Sequence, residues 1–333
     1  MATLKNTTIN DTGFLQLPVG STAQRPTAAT GMVRWNSSTT VVEVYNGSAW
    51  TSVLGGSASN APTSVEYIIV AGGGSGGSAN AGSRGAGGGG AGGYLAGSVS
   101  VTSGITYTIT VGGGASSPGQ GLRGSNGANS VFNNITAYGG GGGAGWSSSV
   151  FITALAGGSG GGAPDGTPGG TSGGAGNTPA TTPSQGNRGG NNSGNSQGTA
   201  GSGGGGAGTA GTDRDGAQYN TGSPGGSGVS SSITGTAVTY AAGGPGGDRA
   251  TGTSGTTASA GTSNRGNGGS GASGYAFSPG AVGVYGGAGG SGVVIIRYLD
   301  TYAAPVSTTG SPSISTAGGY RIYTFNGNGS ITW

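Results

Sequence analysis

The chain has 333 residues, of which 87 are glycine and only 6% are charged, and its formal net charge is +3. Because it has no basic stripe and no apolar run near the roughly 18 residues that cross a bilayer, we expect neither a nucleic-acid partner nor membrane insertion. Cysteine and histidine are absent, which excludes disulfides, thiolate or imidazole metal sites and histidine-dependent nucleophiles. We therefore expect no enzymatic activity, no cofactor and no bound metal.

Residues 1–54 have an ordinary composition and predict a small β module. Strand patterns at Met32–Asn36 and Val41–Tyr45 are followed by Asn46-Gly47, the favoured two-residue hairpin turn. The module is too short to bury a good core alone, so we expect it to oligomerise or to dock on a virion partner. Three aromatic residues are candidates for that contact or, alternatively, for a small core: Trp35, Tyr45 and Trp50.

Residues 55–64 are predicted to be a linker, and residues 65–298 form a glycine-rich body that is either flexible or packed. Gly/Ser-rich chains behave as coils, and ordering 87 glycines costs about 40–90 kcal/mol at about 0.5–1 kcal/mol each. Side-chain burial cannot offset this cost where there are no side chains. Polyglycine II-type helices can offset the cost, because they point every backbone group outward and glycine lets neighbouring helices form hydrogen bonds with one another.

Three observations favour a packed body over a flexible one. Charge is scarce, whereas disordered segments are usually charge-rich. The segment Ile105–Val111 alternates apolar residues with threonine, as a half-buried strand does. The body also begins with the apolar run Tyr67–Val70 and ends with Val293–Tyr298, which look like two ends of one closed domain.

The predicted fold class is mainly β plus irregular structure, with packed polyglycine II-type helices and essentially no α-helix. The middle of the body, residues 157–228, is interrupted by prolines, and we expect the longest loops there. Further strands are expected within the body at Ser98–Val101, Val131–Tyr138, Val150–Ala154, Ser231–Ala242 and Val282–Tyr285. Residues 299–333 are predicted to be a separate β-hairpin module, with Tyr320–Phe325 and Ser330–Trp333 joined by the turn Asn326–Gly329.

Few residues of the body could carry chemistry. The run Asp213–Gly216 resembles part of a calcium loop, but the only glutamates are Glu43 and Glu66, so the closing glutamate is missing. An exposed loop with local Asp–Arg pairing is the simpler interpretation. The eight acidic residues are scattered, so that no pair suited to glycoside hydrolysis can be named.

Aromatic residues between the glycine tracts are the better functional candidates. Flat rings beside Asn, Thr and Gln suit sugar faces and protein anchors alike, although about half of them are expected only to cap the glycine layers. Trp146 and Tyr219-Asn220 are the first choices for a loop that faces a receptor. The full set of candidate receptor-binding residues is Trp146, Tyr219, Asn220, Tyr275 and Phe277.

Two stretches resemble known phage proteins. The pattern Leu17-Pro-Val-Gly, then Gly31-Met-Val-Arg-Trp-Asn, then Val42-Glu-Val-Tyr-Asn-Gly-Ser-Ala-Trp resembles a module common in tailed-phage virion proteins, often at the start of fibre chains. The runs Tyr67-Ile-Ile-Val-Ala-Gly-Gly-Gly and Ala288-Gly-Gly-Ser-Gly-Val-Val-Ile-Ile-Arg-Tyr resemble the glycine-rich domain of phage fibre and adhesin proteins. In the T-even-like adhesins that this resembles, glycine helices stack into a sandwich and intervening loops bind the host surface. Those adhesins cap a separate fibre, whereas this chain carries its own N-terminal module.

The resemblance implies a non-enzymatic phage fibre or adhesin that contacts the host surface through loops of the body. The alternative is a purely structural virion component, such as a head fibre or a capsid or tail decoration, without a specific receptor. The implied partners are other virion proteins of the tail, baseplate or capsid, a host surface glycan or outer-membrane protein, and two further copies in a homotrimer. The start of the chain lacks the apolar segment of a signal peptide, which suits a virion protein that is assembled in the host cytoplasm and released by lysis. A disordered matrix protein is expected only if the body does not fold.

Overall fold

The computed structural model describes residues 16–53, 61–80, 84–147, 150–165, 170–193, 200–214, 220–249, 258–274 and 284–333. The chain divides into two compact units, Met1–Ala61 and Pro62–Trp333, and the division falls inside the predicted linker. In the part that the structure describes, the one helical element is the short turn Thr22–Gln24. The predicted fold class, mainly β without α-helix, is therefore confirmed. None of the described residues forms a helix of the length and hydropathy that crossing a membrane requires.

The first unit contains a four-stranded sheet. Its strands lie in sequence order: β1 (Val19–Gly20), β2 (Val33–Asn36), β3 (Val41–Tyr45) and β4 (Trp50–Ser52). β1 runs parallel to β2, and the other pairs are antiparallel. The predicted hairpin forms between β3 and β4, but Tyr45 pairs with Trp50, so its loop has four residues rather than two. The side chain of Asn46 sets this longer loop, because its Oδ1 accepts hydrogen bonds from the backbone N–H groups of Ser48 and Ala49 at 2.9 Å.

Backbone hydrogen bonds in the glycine body repeat every three residues. Along residues 72–78, every third N–H donates to the segment 122–128, at 2.8–3.1 Å. The N–H groups one position further on, at residues 73 and 76, donate to the segment 287–290. Those two positions further on, at residues 74 and 77, donate to the segment 87–90. A donor direction that returns after three residues is the pattern of a polyglycine II helix, which has three residues per turn and no internal hydrogen bonds.

The helix of residues 72–78 is surrounded by six other segments. The carbonyl groups of residues 72–78 accept from three further segments, at residues 115, 140–143 and 269–272. Only glycine allows such close approach in the interior: a Cβ at Gly74 would overlap the carbonyl oxygen of Gly141. In a flexible linker the backbone N–H and C=O groups are hydrogen-bonded to water, whereas here they are paired with neighbouring segments. The prediction of a packed body is therefore confirmed for the described residues.

Two five-stranded sheets pack against each other at one end of the glycine body. The apolar runs at the two ends of the body become β5 (Ser64–Val70) and β14 (Val293–Leu299), which pair directly and antiparallel. Aromatic rings fill the space between the sheets, with Tyr67 and Phe132 6.3 Å apart and Tyr298 and Trp333 6.1 Å apart. The expectation that the two runs close one domain is confirmed.

The sheet that contains β5 and β14 has the order β16-β17-β14-β5-β6, and the second has the order β15-β18-β7-β8-β9. The remaining strands of the first sheet are β6 (Tyr94–Ser100), β16 (Ser313–Ala317) and β17 (Tyr320–Phe325). The strands of the second are β7 (Thr106–Thr110), β8 (Ser130–Phe132), β9 (Ile135–Ala137), β15 (Ser307–Thr309) and β18 (Gly329–Thr332). Two separate hairpins complete the unit: β10 (Gly145–Ser147) with β11 (Val150–Ile152), and β12 (Val229–Ser231) with β13 (Val238–Tyr240).

Two long predicted strands are hairpins instead. The segment Val131–Tyr138 turns at Asn133 and Asn134, whose φ angles of 46° and 64° are left-handed. Asparagine adopts this conformation more readily than most residues, so a pattern that looks continuous can reverse there. The segment Ser231–Ala242 reverses in the same way near Gly235, with a φ of 90°. The last predicted strand, Val282–Tyr285, lies partly outside the described residues.

The C-terminal residues do not form a separate module. β17 pairs with β14 in one sheet, and β18 pairs with β7 in the other, so the predicted hairpin of these two strands is wrong. The chain crosses from one sheet to the other between Phe325 and Ile331, and both of these residues are fully buried. The hairpin in this region is β16–β17, which turns through Gly318 and Gly319 at φ angles of 57° and 79°.

Candidate functional site

The glycine helices end together on the side away from the two sheets. Residues 71–79 lead out from β5 and residues 85–93 return to β6, a distance of roughly 25 Å at about 3.1 Å per residue. We call the set of side chains at this far side the distal end. Its members are Asn80, Arg84, Trp146, Ser147, Asp165, Asn192, Ser193, Arg214, Asn220, Arg249 and Val284.

Backbone bridges and side-chain hydrogen bonds connect the residues of the distal end. Ala79 forms β-bridges to both Trp146 and Val284, and Asn192 forms one to Arg214. These two groups are linked, since Asn192 Nδ2 donates to the carbonyl of Pro164 at 3.1 Å, next to Asp165. Further hydrogen bonds extend the surface to Asn220 and Arg249: Arg214 Nη1 donates to Thr221 O at 3.1 Å, and the Arg249 N–H donates to Asn220 O at 2.9 Å.

The candidate receptor-binding residues differ in where they lie. Three of them, Tyr219, Tyr275 and Phe277, lie outside the described residues. A fourth, Asn220, is described and exposed.

The fifth candidate, Trp146, is buried, with an exposed fraction of 7%. Its ring centroid lies 4.4 Å from that of Phe151, and the guanidinium carbon of Arg84 lies 4.3 Å from the Trp146 centroid. The expectation that this ring faces outward is wrong, because the β10–β11 hairpin and Arg84 cover it. The Trp146 ring therefore packs inside the distal end and is not part of its exposed surface.

An ion pair that the sequence did not point to fixes this arrangement. Arg84 Nη1 lies 2.6 Å from Asp165 Oδ2, and the carboxylate is fully buried. Arg84 therefore joins three segments, through its own backbone, the ring of Trp146 and the carboxylate of Asp165. The only sequence signal was the scarcity of charge, since a charged residue in a glycine tract must be solvated or paired.

Asp213 pairs with a neighbouring segment rather than with the adjacent arginine. Arg188 Nη1 lies 2.6 Å from Asp213 Oδ1, and both side chains are about half exposed. The hydrogen bond from Arg188 holds the pKa of Asp213 below its usual value. Arg214 is buried, and the rest of the predicted loop, Asp215 and Gly216, lies outside the described residues. Within the described ranges, no group of three or more acidic side chains is placed to hold a metal ion.

The sheet of the first unit buries its polar face. Asn36 and Glu43 are fully buried and Arg34 nearly so, whereas Val33 and Trp35 are 40% and 37% exposed. Burial on its own raises the pKa of Glu43, but hydrogen bonds from Arg25 and Asn36 and the charges of the two arginines hold it below its usual value.

The three aromatic residues of this unit do not share one core. Trp35 pairs with Val42, and Tyr45 pairs with Trp50, which places Trp35 on the opposite face of the sheet from the other two. The Tyr45 and Trp50 rings lie 5.7 Å apart, and Arg25 lies 5.9 Å from the Trp50 ring. The alternative of a common small core is wrong, because the sheet separates the rings.

A family model for a glycine-rich domain matches residues 51–299, which include β5, β14 and the whole glycine body between them. No curated protein and no solved structure matches the chain. The matched range spans more than half of the sequence and contains the helices with the three-residue repeat. The chain therefore belongs to the family of proteins with this glycine-rich domain.

Proposed function

We propose that this protein is a non-enzymatic fibre or adhesin of a tailed-phage virion, and that it contacts the host surface through the distal end. One observation carries the proposal: polar side chains where the glycine helices end are joined by hydrogen bonds into one region, on the side away from the two sheets. Side chains held on a hydrogen-bonded lattice lose little freedom on binding, which lowers the ordering cost of a complex. The resemblance to phage adhesins agrees with this assignment.

The side chains of the distal end suit a polar surface. Asn220 is exposed, and the guanidinium of Arg84 remains partly exposed above Trp146. Tyr219, Tyr275 and Phe277 are the remaining aromatic candidates from the sequence, and they lie outside the described residues. Rings next to amide and guanidinium groups bind sugar faces and protein anchors alike, so the partner would be a host surface glycan or an outer-membrane protein.

The first unit would join the protein to the virion. Its sheet presents an uncharged apolar face, and the exposed residues on that face include Val19, Val33, Trp35 and Val53. An exposed apolar patch of this kind marks an interaction surface. We propose that Trp35 lies in the contact with another copy, as in a homotrimer, or with a tail, baseplate or capsid protein. Tyr45 and Trp50 would support the same sheet from its other face.

The adhesin proposal is tested by binding of the fluorescently labelled full chain to a panel of bacterial strains. We expect saturable binding to at least one strain, and at least a tenfold loss of affinity for the double variant Tyr219→Ala/Asn220→Ala. The control is Val306→Ala, at a strongly exposed residue next to β15, which should bind like wild type. Absence of binding to every strain, or unchanged binding of the double variant, would favour the purely structural virion component.

A further inference from the structure

A groove lies beside the pair of strands that closes the glycine body. The β12–β13 hairpin covers part of the first sheet, where Ile233 packs with Ile68, Ile295 and Ile322. Beyond Ile233 the sheet is open, and a groove of about 630 Å³ lies there. A second depression of about 270 Å³ continues it, and the two share Glu66, Ser98 and Arg297.

An ion pair between neighbouring strands lies in the floor of the groove. Glu66 and Arg297 face each other in the register of β5 and β14. Arg297 Nε and Nη2 approach Glu66 Oε2 at 2.8 Å and 2.6 Å, so both contacts fall on one oxygen. The side chains of Arg297 and Glu66 are 24% and 43% exposed. An exposed pair contributes only about 0–1 kcal/mol of stability, so its main effect is to make the floor polar without net charge.

Aromatic and hydroxyl groups surround this pair. The ring of Tyr320 lies 4.2 Å from the guanidinium carbon of Arg297. Ser98 pairs with Glu66 across β5 and β6, which places its hydroxyl on the same face.

We propose that this groove binds a short segment of an uncharged carbohydrate. Neighbouring sugar hydroxyls can donate to the Glu66 carboxylate and accept from the Arg297 guanidinium, while the apolar face of the sugar ring packs on Tyr320. The size of the groove lies within the range of about 300–1,000 Å³ that is typical of small-molecule sites. Because Glu66 neutralises Arg297, the groove favours a neutral sugar over a sulfated or phosphorylated one. Its continuation past the ion pair suits a chain that passes through.

This site is separate from the distal end, and its test does not depend on the outcome for the proposed host contact there. The experiment is saturation-transfer NMR on the full chain with neutral trisaccharides of glucose, mannose or galactose, and with their sulfated forms. We expect transfer to at least one neutral trisaccharide and weaker transfer to its sulfated form. The variants Glu66→Gln and Arg297→Lys should reduce the transfer at least fivefold.

The matched control is Asp213→Asn, which breaks another arginine–carboxylate pair of 2.6 Å in the glycine body and should leave the transfer unchanged. Thermal melts of each variant establish that the fold is retained. Absence of transfer to every neutral trisaccharide, preference for the sulfated forms, or equal transfer to Glu66→Gln and wild type would each overturn the proposal. Loss of transfer in the control variant would do the same.

Discussion

The carboxylate of Asp165 is fully buried and lies 2.6 Å from the guanidinium of Arg84, which comes 81 positions earlier in the chain. Removing the arginine takes this ion pair from a buried carboxylate, and breaking a buried pair costs about 3–5 kcal/mol. We expect Arg84→Gln to lower the free energy of unfolding of the second unit by about 3 kcal/mol, as measured by urea denaturation.

Asp165→Asn tests the same pair from the other side. The remaining guanidinium keeps the Trp146 ring and partial contact with solvent, so we expect a smaller loss than for Arg84→Gln. Equal stability of both variants and wild type would mean that the pair does not fix the distal end.

The glycine lattice should respond to a methyl group according to position. A Cβ on Gly74 would overlap the carbonyl oxygen of Gly141, whereas no heavy atom lies within 4 Å of the place that a Cβ on Gly113 would take. Gly74→Ala would separate two helices and break at least two backbone hydrogen bonds, at a net ~1 kcal/mol each, in addition to the steric cost. We expect it to lower the free energy of unfolding by at least about 3 kcal/mol.

Gly113→Ala is the control for this experiment. Its φ angle is not left-handed, so alanine fits there and should be neutral or stabilise the protein by up to about 1 kcal/mol. Thermal melts of the two variants compare them directly. A Gly74→Ala protein that melts with wild type would contradict the close packing of this lattice.

The stability of the first unit should fall in acid. The folded pKa of Glu43 is lower than its usual value of 4.5, so its contribution is fully present above that value and is lost as the pH falls through the folded pKa. We expect wild type to lose stability progressively below pH 4.5, measured by tryptophan fluorescence during urea unfolding. Glu43→Gln should be less stable at neutral pH and nearly independent of pH in this window. A wild-type curve that is flat in acid would contradict this role of Glu43.

Assembly should depend on the apolar face of the first unit. If Val33 and Trp35 lie in a contact between copies, the variant Val33→Thr/Trp35→Ser should sediment as a monomer under conditions in which wild type is an oligomer. Tyr45→Phe, on the other face of the sheet, is the control and should assemble like wild type. Analytical ultracentrifugation distinguishes the two, and a monomeric wild-type protein would point to a different protein as the partner of this face.

The packed body could be predicted from the sequence because it follows from elementary requirements. In a glycine-rich body with few charges, backbone hydrogen bonds are the interaction that can offset the entropy lost on ordering. The apolar runs at β5 and β14 mark the ends of the domain. The direct pairing of these two strands is a finding of the structure. Both strands have buried residues on both faces, as strands between two covering layers do.

Other features depend on contacts between distant residues, which the local pattern does not contain. The Asn326–Gly329 turn looks like a hairpin turn, yet the chain crosses between sheets there because Phe325 and Ile331 both enter the same core. In the first unit, alternation identifies which residues share a face but not which face is covered. The burial of Trp146 likewise depends on Arg84 and Phe151.

The three-residue hydrogen-bond period also constrains how this body can change in length. Deleting one residue from a helix rotates every later donor by a third of a turn, so that each would face the wrong neighbour. Deleting three restores every direction and shortens the helix by about 9 Å, at about 3.1 Å per residue. Insertions and deletions inside the lattice are therefore tolerated in multiples of three and matched among neighbouring helices, whereas length at the distal end is free of this rule.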